Sequence, residues 1–99
     1  MITNIITATI TAYCACKTCC GPNAKGLAAN GKPPIAGLTI AASRSLPFNT
    51  DIYIPNVGWR KVHDRLAKRY DKRVDVYFNN HKEAKQFGIR QETITIITK

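Results

Sequence analysis

The chain has 99 residues, 44% of them hydrophobic, and carries 15 Lys and Arg against 6 Asp and Glu, a net charge of +9. This length predicts one domain over 1–99 with a small core, and the hydrophobic share excludes a disordered chain. No run approaches the ~18 apolar residues of a membrane span, and so basic a surface prefers a polyanion, either nucleic acid or a cell wall rich in carboxylates and phosphate polymers.

The N-terminus lacks the basic start of a signal peptide and alternates Ile with Thr from Met1 to Ala12, which predicts a strand. Its clearest part is residues 5–13. Four cysteines follow, Cys14, Cys16, Cys19 and Cys20, and then a Gly/Pro/Asn-rich stretch, Gly21 to Gly37, that predicts a long loop. Residues 37–43 read as a short buried strand and Leu46–Asn49 as a turn. Asp51–Pro55 alternates and stops at a proline, as a short strand does. Asn56–Gly58 turns the chain, and Trp59–Leu66 follows as a strand. Residues 65–72 are polar and basic, a predicted loop. Arg73–Phe78 alternates most strongly of all. His81–Phe87 has helix formers between Asn80, a good N-cap, and Gly88, a good C′ residue. Ile89–Thr98 closes the chain as a strand, with Ile94 and Ile96 on one face. Six short strands and one helix before the last of them predict a mainly β fold, closed into a barrel so that no edges are left open.

Asp75 lies between Val74 and Val76. With both valines turned to the core, its carboxyl faces the outer side of the strand. A carboxyl there, its pKa raised by Asp64, could deliver a proton to a poor leaving group. The plain alternative is a solvent-facing aspartate paired with Arg73. His63 stands beside Asp64 and could support it by a hydrogen bond. Asp71 reads as a surface ion-pair residue and Asp51 as an ordinary strand start. Arg60, Lys61, Arg65, Lys68, Arg69, Lys72 and Arg73 form either a solvated face or a holder for anionic glycan or phosphate. Tyr13 and Trp59 are candidate sugar platforms, and Tyr77 reads as packing. No helix-turn-helix, zinc-finger or RNA-recognition signature is present, which disfavours nucleic acid.

The cysteines leave two readings open. Four thiolates could hold a structural zinc ion, or two disulfides could staple the loop, as in small extracytoplasmic domains. A bond between the adjacent Cys19 and Cys20 is disfavoured by ring strain.

The ordered set Thr11-Ala-Tyr13, Leu38–Ala41, Leu46-Pro-Phe-Asn-Thr50, Ile52–Pro55, His63-Asp64, Arg73-Val-Asp-Val-Tyr-Phe78, then His81-Lys-Glu-Ala84 and Phe87-Gly88 resembles the three-aspartate (3D) domain family. That family includes the catalytic domain of membrane-bound lytic transglycosylase A and stationary-phase muralytic proteins. The resemblance runs over nearly the whole chain. It implies a six-stranded double-psi β-barrel. It also implies cleavage of the MurNAc–GlcNAc β-1,4 bond, with the muramic 6-hydroxyl as nucleophile and a 1,6-anhydro product. By position Asp75 matches the family's acid/base aspartate and Asp64 its neighbour. Tyr13, Trp59, Arg73 and Thr50 are the expected substrate contacts. No catalytic cofactor is expected. The expected partner is peptidoglycan or another anionic wall glycan, met by a monomer at the wall. With no signal peptide visible, either the mature region is shown or the protein leaves the cytoplasm by a route such as phage lysis.

The chain departs from the family pattern in places. Ala42 stands at the first aspartate. Ala28-Ala29-Asn30-Gly31 replaces Thr-Ala-Ser-Gly, and Arg65-Leu66-Ala67 replaces Thr-Gly-Gly. Asn49 replaces the turn glycine. These keep two rivals in play: a barrel that binds wall glycan without cutting it, and a basic nucleic-acid-binding barrel.

Overall fold

The computed structural model describes residues 2–14, 27–66 and 72–98. Six strands, β1 (Ile2–Tyr13), β2 (Thr39–Ala42), β3 (Asp51–Ile54), β4 (Gly58–Arg65), β5 (Arg73–Tyr77) and β6 (Arg90–Thr98), are joined by one helix, α1 (His81–Phe87), between β5 and β6. They close into a barrel in the order β1-β5-β2-β4-β3-β6. The mainly β class, the six-stranded closure and the helix before the last strand all match the sequence reading. The first strand starts earlier than its clearest motif, at Ile2.

Two pairs, β1–β5 and β2–β4, run parallel, and the other four pairs run antiparallel. Parallel neighbours cannot be joined by a tight hairpin, so each pair is separated in sequence by other elements. By contrast β3 and β4 form a hairpin. Pro55 and Asn56 make its tip, Asn56 has φ 64°, and Val57 N–H donates to the Ile54 carbonyl at 3.0 Å. Proline followed by a positive-φ residue is the type II turn signature.

The period-2 alternation of each strand builds the core. Ala8 and Ile10, Ile40 and Ala42, Ile52 and Ile54, Val62, Val74 and Val76, and Ile94 and Ile96 converge inside the barrel, with Leu46, Val57, Phe78 and Phe87 packed against them. Asn80 caps α1 as expected: its Oδ1 accepts from Glu83 N–H at 2.8 Å. Asn49 has φ 71°, the left-handed conformation that asparagine tolerates in place of glycine. No helix among the described residues is long and apolar enough to cross a membrane.

A second, smaller apolar cluster lies on the outer wall, where Tyr13, Leu66 and Tyr77 cover Ala41. Tyr13 and Tyr77 meet edge to face at 5.4 Å. This cover turns one stretch of outer wall into a sheltered surface.

Candidate active site

Alternation puts Asp75 on that wall. Val74 and Val76 are 4% and 1% exposed inside the barrel, so the carboxyl between them must face outward. Register then sets its neighbours. Thr11 of β1 pairs with Asp75, Asp75 pairs with Ala41 of β2, and Ala41 pairs with Asp64 of β4. Thr11, Asp75, Ala41 and Asp64 therefore form one row across four adjacent strands. The two aspartates stand two strand spacings apart, roughly 9–10 Å between backbones, with Ala41 between them in the row.

Asp64 reaches this row through a bulge. Val62 faces the core, so strict alternation would turn Asp64 inward as well. The β2–β4 register slips between Ile40 and Ala41: Ile40 pairs with Val62 and Ala41 with Asp64. His63 is the extra residue, and the bulge re-aims Asp64 to the outer side.

Each carboxyl is held by specific donors. Thr11 Oγ1 donates to Asp75 Oδ1 at 2.6 Å. Asp64 Oδ2 accepts the Tyr13 hydroxyl at 2.9 Å, and its Oδ1 accepts the N–H groups of Ala29 and Arg65, both at 2.9 Å. Among the described residues, each of these three partners donates to Asp64. The small Ala41, which clusters with Tyr13, leaves room for the tyrosine hydroxyl to reach past β5 and β2 to Asp64.

Burial pushes the Asp75 pKa above the ordinary aspartate value, and the charge of Asp64 pushes the same way. The Thr11 hydrogen bond and the Arg73 charge oppose them without cancelling the rise. A half-buried carboxyl that holds its proton longer than usual is suited to act as a general acid.

The other predicted residues distribute unevenly. Tyr13 joins the site through Asp64, and Arg73 lies two residues before Asp75 on the same strand, close enough for its charge to be felt. Trp59 is 52% exposed and packs edge to face on Tyr53 at 5.3 Å. It lies five residues before Asp64, about 17 Å along β4 at strand rise, away from the carboxylate row. Thr50 is buried and donates to the Pro47 carbonyl at 2.7 Å, closing its turn. Tyr77 packs, as expected. His63 does not support Asp64. Its Nδ1 lies 3.0 Å from Thr39 Oγ1, because the bulge directs the ring toward β2. Burial lowers the His63 pKa, and Lys61 and Lys32 lower it further.

Part of the basic run is tied into the fold. Lys61 pairs with Asp51 at 2.7 Å. Arg65 donates to the carbonyls of Leu46 and Ser43 and lies over the Phe48 ring at 4.1 Å. Ala42 is buried in the core and Ala28 is buried as well, so neither substitution leaves a polar group behind.

Of the four cysteines, Cys14 is buried at the end of β1. Cys16, Cys19 and Cys20 lie outside the described residues, as do Lys68, Arg69 and Asp71. Among the described residues no group of three or more His, Cys, Asp or Glu is placed to hold a metal ion. Sequence reasoning missed the bulge, the reach of Tyr13 over Ala41, the Thr11 and Ala29 donors, and a contact between Cys14 and His81. The pairing of Thr11 with Asp75 had a signal in two alternating strands that both read as barrel staves.

No protein-family model matches the chain, and no curated protein matches it.

Proposed function

We propose that this barrel is a peptidoglycan lytic transglycosylase of the three-aspartate type, acting at the cell wall with Asp75 as its acid/base. The observation that carries the reading is the outer-wall row Thr11–Asp75–Ala41–Asp64, in which burial and a neighbouring charge favour the protonated form of Asp75. The two parallel pairs, β1–β5 and β2–β4, support the double-psi form of the barrel.

On this reading protonated Asp75 gives its proton to the glycosidic oxygen as the C1–O bond breaks. Positive charge develops at C1, and the Asp64 carboxylate stabilises it across the row. The 6-hydroxyl of the same muramic residue then bonds to C1 and passes its proton to Asp75. Asp75 ends as it began, and no water is consumed. An internal nucleophile removes the need for the second catalytic carboxyl that hydrolysis by water requires, so the alanine at position 42 is compatible with the chemistry.

The test is digestion of purified peptidoglycan by wild type and Asp75→Asn, with products read by mass spectrometry. Anhydro-ended muropeptides are expected from wild type, with a loss of about 10²–10⁴-fold in Asp75→Asn, the span of general acid catalysis. Absence of anhydro ends, with both proteins still sedimenting with the wall, would replace cleavage by glycan binding alone.

A further inference from the structure

Alternation also fixes what the barrel shows away from the carboxylate row. Trp59 pairs with Tyr53, Tyr53 with Thr95 and Thr95 with Ile5, so these four side chains share one outward row across β4, β3, β6 and β1. Ile52, Ile54, Ile94 and Ile96, which flank Tyr53 and Thr95 along their strands, fill the core. Trp59 is 52% exposed, Tyr53 39% and Ile5 68%. We propose that this face is a second, non-catalytic site that binds a neutral chain of β-linked pyranose rings, with Trp59 and Tyr53 as its stacking platform.

Shape, surface chemistry and charge carry the assignment. The row spans three strand spacings, roughly 14 Å, so a short run of linked rings can lie across it. Tyr53 and Trp59 meet edge to face at 5.3 Å and 62°, and each ring holds the other in place before a ligand arrives. An exposed apolar row rimmed by polar residues marks an interaction surface. The rim holds Thr93 and Thr7, their hydroxyls 3.5 Å apart, and the Lys61–Asp51 pair at 2.7 Å. Hydroxyls suit the polar edge of a sugar ring, and aromatic faces suit its C–H bonds. The charge pattern speaks against a polyanion. In a chain of net charge +9, Lys61 and Asp51 cancel here, while Arg60 and Glu92 fall on the opposite side by alternation, paired with buried Ile52 and Ala8. A nucleic acid could stack its bases on the same rings, but a single strand also needs a run of cations along its phosphates. Among the described outward residues of this face no such run is present.

The two faces divide the barrel between them. The carboxylate row crosses β1, β5, β2 and β4, and the aromatic row crosses β4, β3, β6 and β1, so together they use every stave. On β1 they are separated by the stretch from Ile5 to Thr11, roughly 20 Å at strand rise. A site that far from the acid holds a polymer without taking part in its cleavage. The proposal stands apart from the muralytic reading, because its ligand need contain no muramic residue.

Trp59 is the chain's only tryptophan, so its fluorescence reports on this face with no substitution required. The full chain is titrated with soluble β-1,4 oligomers of N-acetylglucosamine and of glucose, neither of which the proposed cleavage can cut. A saturable blue shift of the emission is expected, unchanged between low salt and about 1 M, where charge attraction is screened to ~3 Å. In Tyr53→Ala the midpoint is expected to rise about tenfold, the scale of one lost aromatic contact. Wild-type emission that neither oligomer moves overturns the proposal, as does a shift that salt abolishes or that keeps its midpoint in Tyr53→Ala. A shift produced by a single-stranded oligonucleotide and not by the sugars overturns it in favour of nucleobases. A shift that follows protein concentration alone overturns it in favour of a second copy of the chain.

Discussion

An aspartate pressed into the wall of a barrel costs stability whenever it is ionised, because burial disfavours the charged form. Asp75 is in that position, with a folded pKa raised first by burial and then by Asp64. Above the raised value the native state carries an ion that the unfolded chain would hydrate freely. As pH falls through it, the native state takes up a proton before the unfolded chain does. The penalty is therefore present at neutral pH and gone by the ordinary aspartate range near ~3.9. An asparagine at this position can still accept the Thr11 hydroxyl but never ionises. Asp75→Asn is expected to melt at a higher temperature than wild type at pH 7, with the gap closing as pH approaches 4. Paired thermal melts across that range check it, and a gap that is reversed at pH 7 or indifferent to pH contradicts the assignment. A stability gain from removing the acid is the trade-off expected of a catalytic group.

The elements were legible in the chain because their signals are local. Val74-Asp75-Val76 and Ile52-Tyr53-Ile54 declare their inward faces by alternation alone, and Asn80 and Gly88 bracket the helix. The site was legible only in part. Its two aspartates could be named from their order along the chain, but the bulge at His63 depends on how β4 pairs with β2, which no window of β4 contains. The same non-local pairing separated His63 from Asp64, neighbours in sequence that bind different strands. Trp59 fits a sugar platform by type, but strand length carries it to the far part of β4. The helix offers a direct check of local reasoning. At seven residues α1 is too short to stand alone, and it depends on its cap and on Phe87 packing against Phe78 at 5.5 Å. Asn80 both accepts from Glu83 N–H and donates to Glu83 Oε1 at 2.7 Å. Asn80→Ala is expected to cost about 1 kcal/mol, read as a lower urea midpoint at unchanged slope. A loss under a few tenths of that would mean that packing, not the cap, fixes where the helix starts.

Closure of the barrel makes distant segments depend on one another: β1 and β5 pair in parallel across the length of the chain, and Thr11 and Asp75 of the site meet only through that pairing. Around this frame sits an excess of nine positive charges. On the proposed wall-cleaving reading, this excess serves capture of an anionic wall rather than the chemistry at the carboxylates. Charge attraction is screened over ~8 Å at physiological salt and ~3 Å at 1 M, whereas hydrogen bonds to a sugar in a sheltered groove are screened much less. Sedimentation with whole cell wall is thus expected to fall steeply as salt rises. It is expected to fall again when phosphate polymers are stripped from the wall, leaving a weaker, salt-resistant fraction bound to bare glycan. Duplex DNA supplies phosphate without the sugar polymer, and its binding is expected to vanish along the same salt series. Equal retention by DNA and wall at every salt concentration would make phosphate the whole of recognition and leave the aspartate row without a substrate. A salt-resistant fraction on stripped glycan alone assigns the charge to capture and leaves selection to the outer-wall surface around the carboxylate row.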